Sequence, residues 1–346
     1  MKKKRKELLI RVDANSIIGS GHLMRCLALA QAWKERGGEV SFITACDSPA
    51  LLQRLKGEGF QIIKVEMAYP DPDDWATTSK ILDEYPDSWV VLDGYHFDSD
   101  YHNLIKGNGN QLLVIDDIAH LQHYSADIIL NQNVNADQLS YQYNPNVRLL
   151  LGSEYVLMRK EFWEWSGWKR DFRKNSQNLL ITLGGADPDN QTQKVINAVK
   201  ILDQKSQKIC ILIGASNPHY PNILETIEND QNIRIIKNTG NMPELMAWAD
   251  VAVTAGGSTC WETSFMGLPS IILILADNQR RIARGLASLG VSECLGWYED
   301  VSEKEIADAL SSLIGNIKKR SQMGIKGRKL IDGKGAFQVV SKMVKV

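Results

Sequence analysis

Short runs of Val, Ile and Leu recur along this chain and alternate with longer segments of helical period. The runs have the length of strands and show little alternation of apolar and polar residues, which is typical of strands covered on both faces. They are ELLIRVDA, EVSFITA, FQIIKVE, SWVVLD, NQLLVIDD, ADIILNQ, NLLITLGG, KICILIGA, NIRIIKN, ADVAVTAGG and PSIILILA. Strands that alternate with helices form parallel sheets, so the pattern predicts an α/β protein of Rossmann-like, doubly wound units.

The alternation is interrupted between Phe162 and Gln177, where FWEWSGWKRDFRKNSQ is aromatic and basic and has no strand period. A new series of strand-like runs starts directly after this segment. We therefore predict an N-terminal domain at 1–162, a linker at 163–178 and a C-terminal domain at 179–325, with the two domains facing a cleft.

Charge and composition exclude several classes of protein. The chain has 346 residues and a net charge of −1, which gives no electrostatic basis for nucleic-acid binding. No apolar run approaches the ~18 residues of a membrane span, so no stable membrane insertion is expected. The basic run Lys2–Lys6 is predicted to be a solvated tail and not a targeting signal. Five scattered cysteines without a CxxC pair indicate a cytoplasmic protein. The sequence predicts no particular oligomeric partner.

Glycine pairs follow three of the predicted strands directly: Gly19 and Gly21, Gly184 and Gly185, and Gly256 and Gly257. Glycine lets the backbone approach a ligand, and the helix that follows offers free N–H groups to an anion. A single loop of this kind could be only a tight turn, but three of them predict a phosphate-bearing ligand. GSGHLM lacks the third glycine of a dinucleotide fingerprint, and the P-loop motif is absent from the sequence.

The loop AGGST suits a pyrophosphate best. Ser258 and Thr259 would donate hydroxyl and N–H hydrogen bonds at the start of a helix. Glu262, one turn further on, could accept hydrogen bonds from the two hydroxyls of a ribose. It could equally be an ordinary surface carboxylate of a helix, and both interpretations stay open on position alone.

His22 stands in the first turn of a predicted helix, where the helix dipole disfavours the imidazolium form. A neutral histidine beside a bound pyrophosphate could act as a general base for water. The alternative is a histidine that only forms hydrogen bonds near the start of the helix, and position alone favours this alternative.

Several motifs together resemble one family. They are RVDANSIIGSGHLMRCLALAQ, VVLDGYHFD, LLVIDD, LGSEYVLMRKEF, LITLGGADPDN and AGGSTCWETSFMGLPSIILILADNQ, in this order from Ile10 to Gly290. The set is similar to the UDP-2,4-diacetamido-2,4,6-trideoxy-β-L-altropyranose hydrolases of pseudaminic acid biosynthesis. The same family includes spore-coat polysaccharide proteins that are described as glycosyltransferases.

The resemblance implies a GT-B fold with the UDP-sugar between two Rossmann-like domains, and a final helix in 326–346 that packs back on the first domain. It also implies that His22 activates water and that Tyr95 lies near the reacting centre. The substrate contacts that follow from the resemblance and from the glycine loops are Arg11, Asp13, Gly19, Gly21, Gly185, Gly257, Ser258, Thr259, Glu262, Asn278 and Gln279.

The implied reaction is metal-independent hydrolysis of the bond between the sugar anomeric carbon and UDP, without a cofactor. One base and donors for the developing charge would suffice, because UDP can leave without being protonated. The closely spaced residues that could suggest a metal site are Asp116, Asp117, His120 and His123. They are predicted to be strand-end and loop residues instead. Two alternatives stay open: a UDP-sugar glycosyltransferase of surface or spore-coat polysaccharide assembly, and a non-catalytic nucleotide-sugar-binding protein.

Overall fold

The structure, a computed structural model, describes residues 7–15, 18–202, 207–214, 217–228, 230–237 and 239–344. The basic run Lys2–Lys6 lies outside the described residues. The chain divides into two compact units. The first extends to Lys160 and also includes the chain from Lys334 onward, and the second is Glu161–Gly333. The sequence predicted this boundary at residue 162, followed by a linker at 163–178. In the structure, residues 163–178 are part of the second unit.

The strands of the first unit are β1 (Glu7–Val12), β2 (Glu39–Thr44), β3 (Gln61–Lys64), β4 (Trp89–Asp93), β5 (Gln111–Ile115), β6 (Ile128–Asn131) and β7 (Arg148–Leu151). They form one parallel sheet in the order β3-β2-β1-β4-β5-β6-β7. The central strand β4 is buried along its whole length, which explains its continuous apolar sequence. The strand order reverses between β1 and β4, and ligands of such sheets bind at the carboxyl ends beside this reversal.

The helices that follow the first strands are α1 (Gly21–Glu35), α2 (Pro49–Gly57), α3 (Pro72–Glu84) and α4 (Ser99–Gly107). Their starts carry ordinary sequence signals. Proline occupies the first turn of α2 and of α3. The Asp98 carboxylate caps α4 by accepting from the backbone N–H of Tyr101 at 3.0 Å. In contrast to these helices, α1 is buried over most of its length, so the residues at its start are held firmly against the sheet.

The second unit has a second parallel sheet. Its strands are β8 (Asn178–Thr182), β9 (Lys208–Ile213), β10 (Ile233–Lys237), β11 (Val251–Ala255), β12 (Ser270–Ile274) and β13 (Glu293–Trp297), in the order β10-β9-β8-β11-β12-β13. Its helices are α5 (Gln191–Ile201), α6 (Tyr220–Ile227), α7 (Met242–Trp248), α8 (Thr259–Phe265), α9 (Arg280–Ser288), α10 (Glu303–Gly315) and α11 (Ile317–Leu330). The predicted architecture of two doubly wound α/β units is confirmed. Among the described helices, none is long and apolar enough to cross a membrane.

The last helix, α12 (Gly335–Met343), belongs to the first unit and packs against α1. The indole N–H of Trp89 donates to the carbonyl of Met343 at 3.1 Å. Arg148 donates to the carbonyl of Lys342 at 3.0 Å. These bonds satisfy carbonyl groups that the end of a helix otherwise leaves without a partner.

Gly335 begins α12 against the main chain of Tyr155 and Val156, and a Cβ at this position would overlap the Val156 carbonyl oxygen. We expect Gly335→Ala to displace α12 and to lower the free energy of unfolding by about 1–3 kcal/mol. Gly107→Ala is the matched control, because a Cβ on Gly107 meets no atom within 4 Å. Urea unfolding of both variants measures the difference, and equal stability of the two would contradict the packing argument.

His102, on α4, is 1% exposed, and its Nδ1 has no hydrogen-bond partner among the described residues. Its ring lies 5.9 Å from the ring of Tyr124, measured between centroids. Burial lowers the pKa of His102 to about 4, and the nearby His120 adds to the effect. The native protein therefore holds this imidazole in its neutral form.

Acidification from pH 6.5, the ordinary pKa of histidine, towards pH 4 should destabilise the protein, because the unfolded chain binds a proton at residue 102 that the native state does not. The lowered pKa of His102 corresponds to a loss of about 3 kcal/mol in the free energy of unfolding over this pH range. In His102→Leu, the free energy of unfolding should lose this part of its pH dependence. Urea titrations at about pH 7.5 and about pH 4.5 measure the slope, and equal slopes in both proteins would refute the explanation.

Candidate functional site

His22 lies at the carboxyl edge of the first sheet, as the second residue of α1. Gly21 opens the helix, and Gly19 precedes it with φ +77°, a conformation that glycine adopts most readily. The His22 Nδ1 lies 2.6 Å from Oδ1 of Asp93, the last residue of β4. Because Val12 of the neighbouring β1 pairs with Asp93, the sheet holds this carboxylate beside the start of α1.

The charge on Asp93 determines which nitrogen of His22 carries the proton. Burial alone would raise the pKa of Asp93, but Arg25 and His22 outweigh burial and hold that pKa well below its usual range. Asp93 is therefore ionised, and we assign the proton to Nδ1, which donates to the carboxylate. Arg25 Nη2 lies 3.1 Å from the same Nδ1, but both groups are donors, and Nη2 donates to Asp93 Oδ1 at 2.7 Å. The lone pair of a neutral His22 is thus on Nε2.

Arg25 joins two buried carboxylates. Its Nε donates to Asp93 at 2.6 Å, and its Nη1 donates to Asp117 at 2.6 Å. Asp117 also accepts from the Tyr95 hydroxyl at 2.7 Å and from the Asn133 amide at 2.8 Å. Burial alone would lower the pKa of Arg25, but Asp117 and Asp93 raise it well above its usual value, so the cation persists. We call the set of Arg25, Asp93, Asp117, Tyr95, Asn133 and His22 the Arg25 network.

Tyr95, predicted to lie near the reacting centre, is brought next to His22. The centroids of the two rings lie 5.0 Å apart with an interplanar angle of 84°. A second imidazole, that of His120, lies 5.6 Å from the Tyr95 ring, again edge to face. Because the Tyr95 hydroxyl donates to Asp117, the position of its ring is fixed by the same carboxylate that binds Arg25.

Arg11 and Asp13 differ from their expected role as direct sugar contacts. Arg11 is 0% exposed, and its guanidinium forms ion pairs with Asp13, at 2.6 Å, and with Asp74. Asp13 is 2% exposed and faces His96 Nε2 at 3.1 Å. Arg11 therefore has no surface with which to contact a ligand, because its charge is used to hold the two carboxylates in place.

The four closely spaced residues that could suggest a metal site take part in three separate sets of contacts. Asp117 is part of the Arg25 network. Asp116 accepts from His120 Nδ1 at 2.6 Å. His123 Nε2 lies 2.8 Å from the Asn144 side-chain oxygen, at the surface. Asp116 and Asp117 thus follow the end of β5, and His120 and His123 lie in the loop beyond it with partners in the chain.

The glycine loop after β8 is not an open helix start. Gly184 has φ +92°, and Gly185 follows it. The Asp187 carboxylate accepts from the backbone N–H groups of Gln191 and Thr192, both at 2.8 Å. These are the first N–H groups of α5, so a carboxylate of the chain itself occupies the anion position expected beside Gly185.

The loop after β11 has a different arrangement. Gly257, Ser258 and Thr259 are partly exposed, and the Ser258 side chain does not cap α8. The Ser258 hydroxyl is therefore not used for capping, as a diphosphate contact would require. Glu262, one turn into α8, is 9% exposed, so it is not an ordinary surface carboxylate.

Gln279 connects the loops that follow β11 and β12. Its Oε1 accepts from the backbone N–H of Gly256 at 3.1 Å and from that of Leu275 at 3.0 Å. A Cβ on Gly256 would lie 2.9 Å from Cβ of Gln279, so glycine is needed for this approach. The side-chain oxygen of the adjacent Asn278 is buried and has no partner among the described residues. Gln279 thus positions the loop, whereas the side-chain oxygen of Asn278 is not used by the described residues.

The sequence pattern predicted no role in the site for Arg25, Asp93 or Asn133, and it placed Asp117 only among strand-end and loop residues. Arg25 lies three residues after His22, and residues at this spacing share a face of a helix. The sequence therefore contained a signal for the network: Arg25 shares a helix face with His22, and acidic residues stand at the strand ends.

Comparison with known proteins extends these observations. Residues 178–334 match the family described as Glycosyltransferase family 28 C-terminal domain. The spore coat polysaccharide biosynthesis protein SpsG of Bacillus subtilis (strain 168) is 27% identical over 329 residues, which cover 93% of each chain.

Two further proteins agree with the motifs and with the fold. The UDP-2,4-diacetamido-2,4,6-trideoxy-beta-L-altropyranose hydrolase of Campylobacter jejuni is 26% identical over 289 residues, 82% of this chain and 97% of that protein. The crystal structure of Acinetobacter baumannii MurG superimposes with a TM-score of 0.67 at 16% identity, covering 99% of this chain and 100% of that one. The chain therefore has a GT-B fold, matches the glycosyltransferase family 28 C-terminal domain in its second half, and resembles the hydrolase that its motifs predict.

Proposed function

We propose that the protein is an enzyme that hydrolyses a UDP-linked 2,4-diacetamido-2,4,6-trideoxy sugar to the free sugar and UDP, in nonulosonic (pseudaminic) acid biosynthesis. The observation that carries the proposal is the 2.6 Å contact between His22 Nδ1 and the buried, ionised Asp93. This contact orients one imidazole as a base. The similarity to the Campylobacter jejuni hydrolase supports the choice of substrate.

In the proposed reaction, His22 Nε2 takes a proton from water while the water oxygen bonds to the anomeric carbon. The bond from that carbon to the β-phosphate oxygen breaks, and its electron pair leaves with UDP. UDP needs no proton to depart, so a second acidic residue is not required. Asp93 stabilises the imidazolium that forms, and Arg25 keeps Asp93 ionised.

We assign the diphosphate to Gly257, Ser258 and Thr259, the ribose to Glu262, and a further polar contact to Asn278. The glycosyltransferase domain matched by the second half of the chain supports the assignment of these contacts to this unit. Gly19, just before α1, and Gly21, its first residue, would border the sugar.

The reaction is proposed to need neither a metal nor a cofactor, because hydrogen-bond donors can hold the charge that develops on UDP. We also propose a cytoplasmic location. The cysteines are free in the structure, which is typical of proteins from a reducing compartment.

A glycosyltransferase of surface or spore-coat polysaccharide assembly is the second candidate. It is favoured by the family 28 match and by the similarity to the spore coat protein SpsG. In that reaction, His22 would deprotonate an acceptor hydroxyl in place of water, and the same bond to UDP would break. The two candidates differ in the nucleophile, and an experiment can separate them directly.

The purified protein should release UDP from the UDP-linked diacetamido trideoxy sugar, with EDTA present. His22→Asn should slow the release by about a hundredfold to ten-thousandfold, because the general base is lost. Phosphorus NMR follows UDP formation. His123→Asn is the matched control and should keep the wild-type rate, since the His123 ring contacts Asn144 outside the Arg25 network.

Each other outcome excludes one part of the proposal. Undiminished release by His22→Asn would exclude His22 as the base while keeping the hydrolase. Release that EDTA abolishes would exclude the metal-independent reaction. Release that requires an added acceptor glycan would favour the transferase.

Asp93→Asn tests how the base is oriented. Arg25 donates to both oxygens of Asp93, so the NH₂ group of an asparagine faces an Arg25 N–H in either orientation and the ion pair is lost. We expect kcat to fall at least about a hundredfold with little change in KM, because a neutral amide neither stabilises the imidazolium nor holds the Nδ1–H tautomer as the carboxylate does. Steady-state kinetics and the ¹⁵N shifts of His22 measure both effects. An unchanged kcat with the Nδ1–H tautomer retained would refute this role of Asp93.

A further inference from the structure

His120 forms a second imidazole–carboxylate pair beside Tyr95. Its Nδ1 lies 2.6 Å from Oδ2 of Asp116, and its ring centroid lies 5.6 Å from that of Tyr95. The side chain of His120 is 20% exposed, whereas that of Asp116 is 0% exposed. The pair therefore repeats, at the end of β5, the arrangement that His22 and Asp93 have at the end of β4.

Asp116 is ionised in this pair. Burial alone would raise its pKa, but the hydrogen bond from His120 and those from its other donors lower the pKa to about 2. The proton between the two groups is thus on Nδ1 of His120. In the neutral imidazole, Nε2 then carries the lone pair and is a hydrogen-bond acceptor. Within the described residues, Nε2 has no hydrogen-bond partner.

Asp116 does not need His120 to satisfy its oxygens. Oδ1 accepts from the backbone N–H groups of Ile118 and Ala119, at 2.9 and 2.6 Å. The hydroxyls of Tyr141 and Tyr124 donate to Oδ1 and Oδ2, at 3.0 and 2.8 Å. A role of His120 as a mere partner for the buried carboxylate is therefore a poor explanation of the pair.

The backbone before His120 is strained. Ala119 has φ +54°, in the left-handed region that residues with a Cβ rarely adopt. Such a conformation costs about 1–3 kcal/mol and persists only where the surroundings hold it. Here the Ala119 N–H is held by Asp116, and the result is a His120 ring that faces Tyr95.

We propose that His120 is a specificity-determining residue whose Nε2 accepts a hydrogen bond from an N–H or O–H group of the sugar. The inference rests on the proposed function, because it requires a UDP-sugar beside His22 and Tyr95. The acceptor atom suits a sugar that carries amide N–H and hydroxyl donors. A ligand without the sugar, such as UDP, makes no use of it.

The test measures binding without turnover, in the full chain carrying His22→Asn. Isothermal titration with UDP and with the UDP-linked diacetamido trideoxy sugar gives two affinities for each variant. His120→Phe should weaken binding of the UDP-sugar by about tenfold or more and leave the affinity for UDP unchanged, because one hydrogen bond to the sugar is lost. His120→Gln, which retains an acceptor oxygen, should recover part of the affinity. His123→Phe, in the same loop, is the matched control and should change neither affinity.

Three results would overturn the inference. Equal affinity of His120→Phe and its parent for the UDP-sugar would leave His120 a structural residue while the proposed function stands. An equal loss for UDP and for the UDP-sugar, with a lowered melting temperature, would show general disruption of the site. Binding of neither ligand by the His22→Asn parent would overturn the proposed function, and the inference with it.

Discussion

The buried guanidinium of Arg25 is the interaction on which the rest of the site depends. Two carboxylates, Asp93 and Asp117, would repel each other and resist burial without a cation between them. Removing one member of such a buried set leaves an uncompensated charge. The burial of each of the three charged groups therefore depends on the other two. His22 and Tyr95 form hydrogen bonds to these same carboxylates. The ion pairs that allow the carboxylates to be buried therefore also determine where both rings lie.

The strand order explains how these groups meet. Asp93 ends β4, Asp116 and Asp117 follow β5, and β4 pairs with both β1 and β5. In a parallel sheet, all carboxyl ends lie along one edge, so residues far apart in the sequence become neighbours there. The reversal of strand order between β1 and β4 opens this edge for the start of α1.

Much of the fold followed from local pattern, since short apolar runs alternating with helices permit few topologies. The polar strand ends and His22 were also visible in the sequence. The partners of these residues were not, because Arg25 reaches carboxylates 68 and 92 residues away in the chain. Two expected ligand contacts are already met by the chain itself: Asp187 accepts from the first N–H groups of α5 beside Gly185, and Asp74 pairs with the buried Arg11. A motif shows which groups could bind a ligand, but not whether another part of the chain already binds them.

The imidazole of His22 alone does not distinguish a hydrolase from a transferase. An oriented base removes a proton from water or from a sugar hydroxyl by the same chemistry, and UDP leaves in either case. The selection between nucleophiles must therefore come from what the neighbouring groups bind and exclude. On the first unit those groups surround Tyr95, whose ring contacts both His22 and His120. If His22 is the base, as we propose, differences between hydrolases and transferases of this fold should be concentrated at the ends of β4 and β5, while the carboxylate beside His22 is retained.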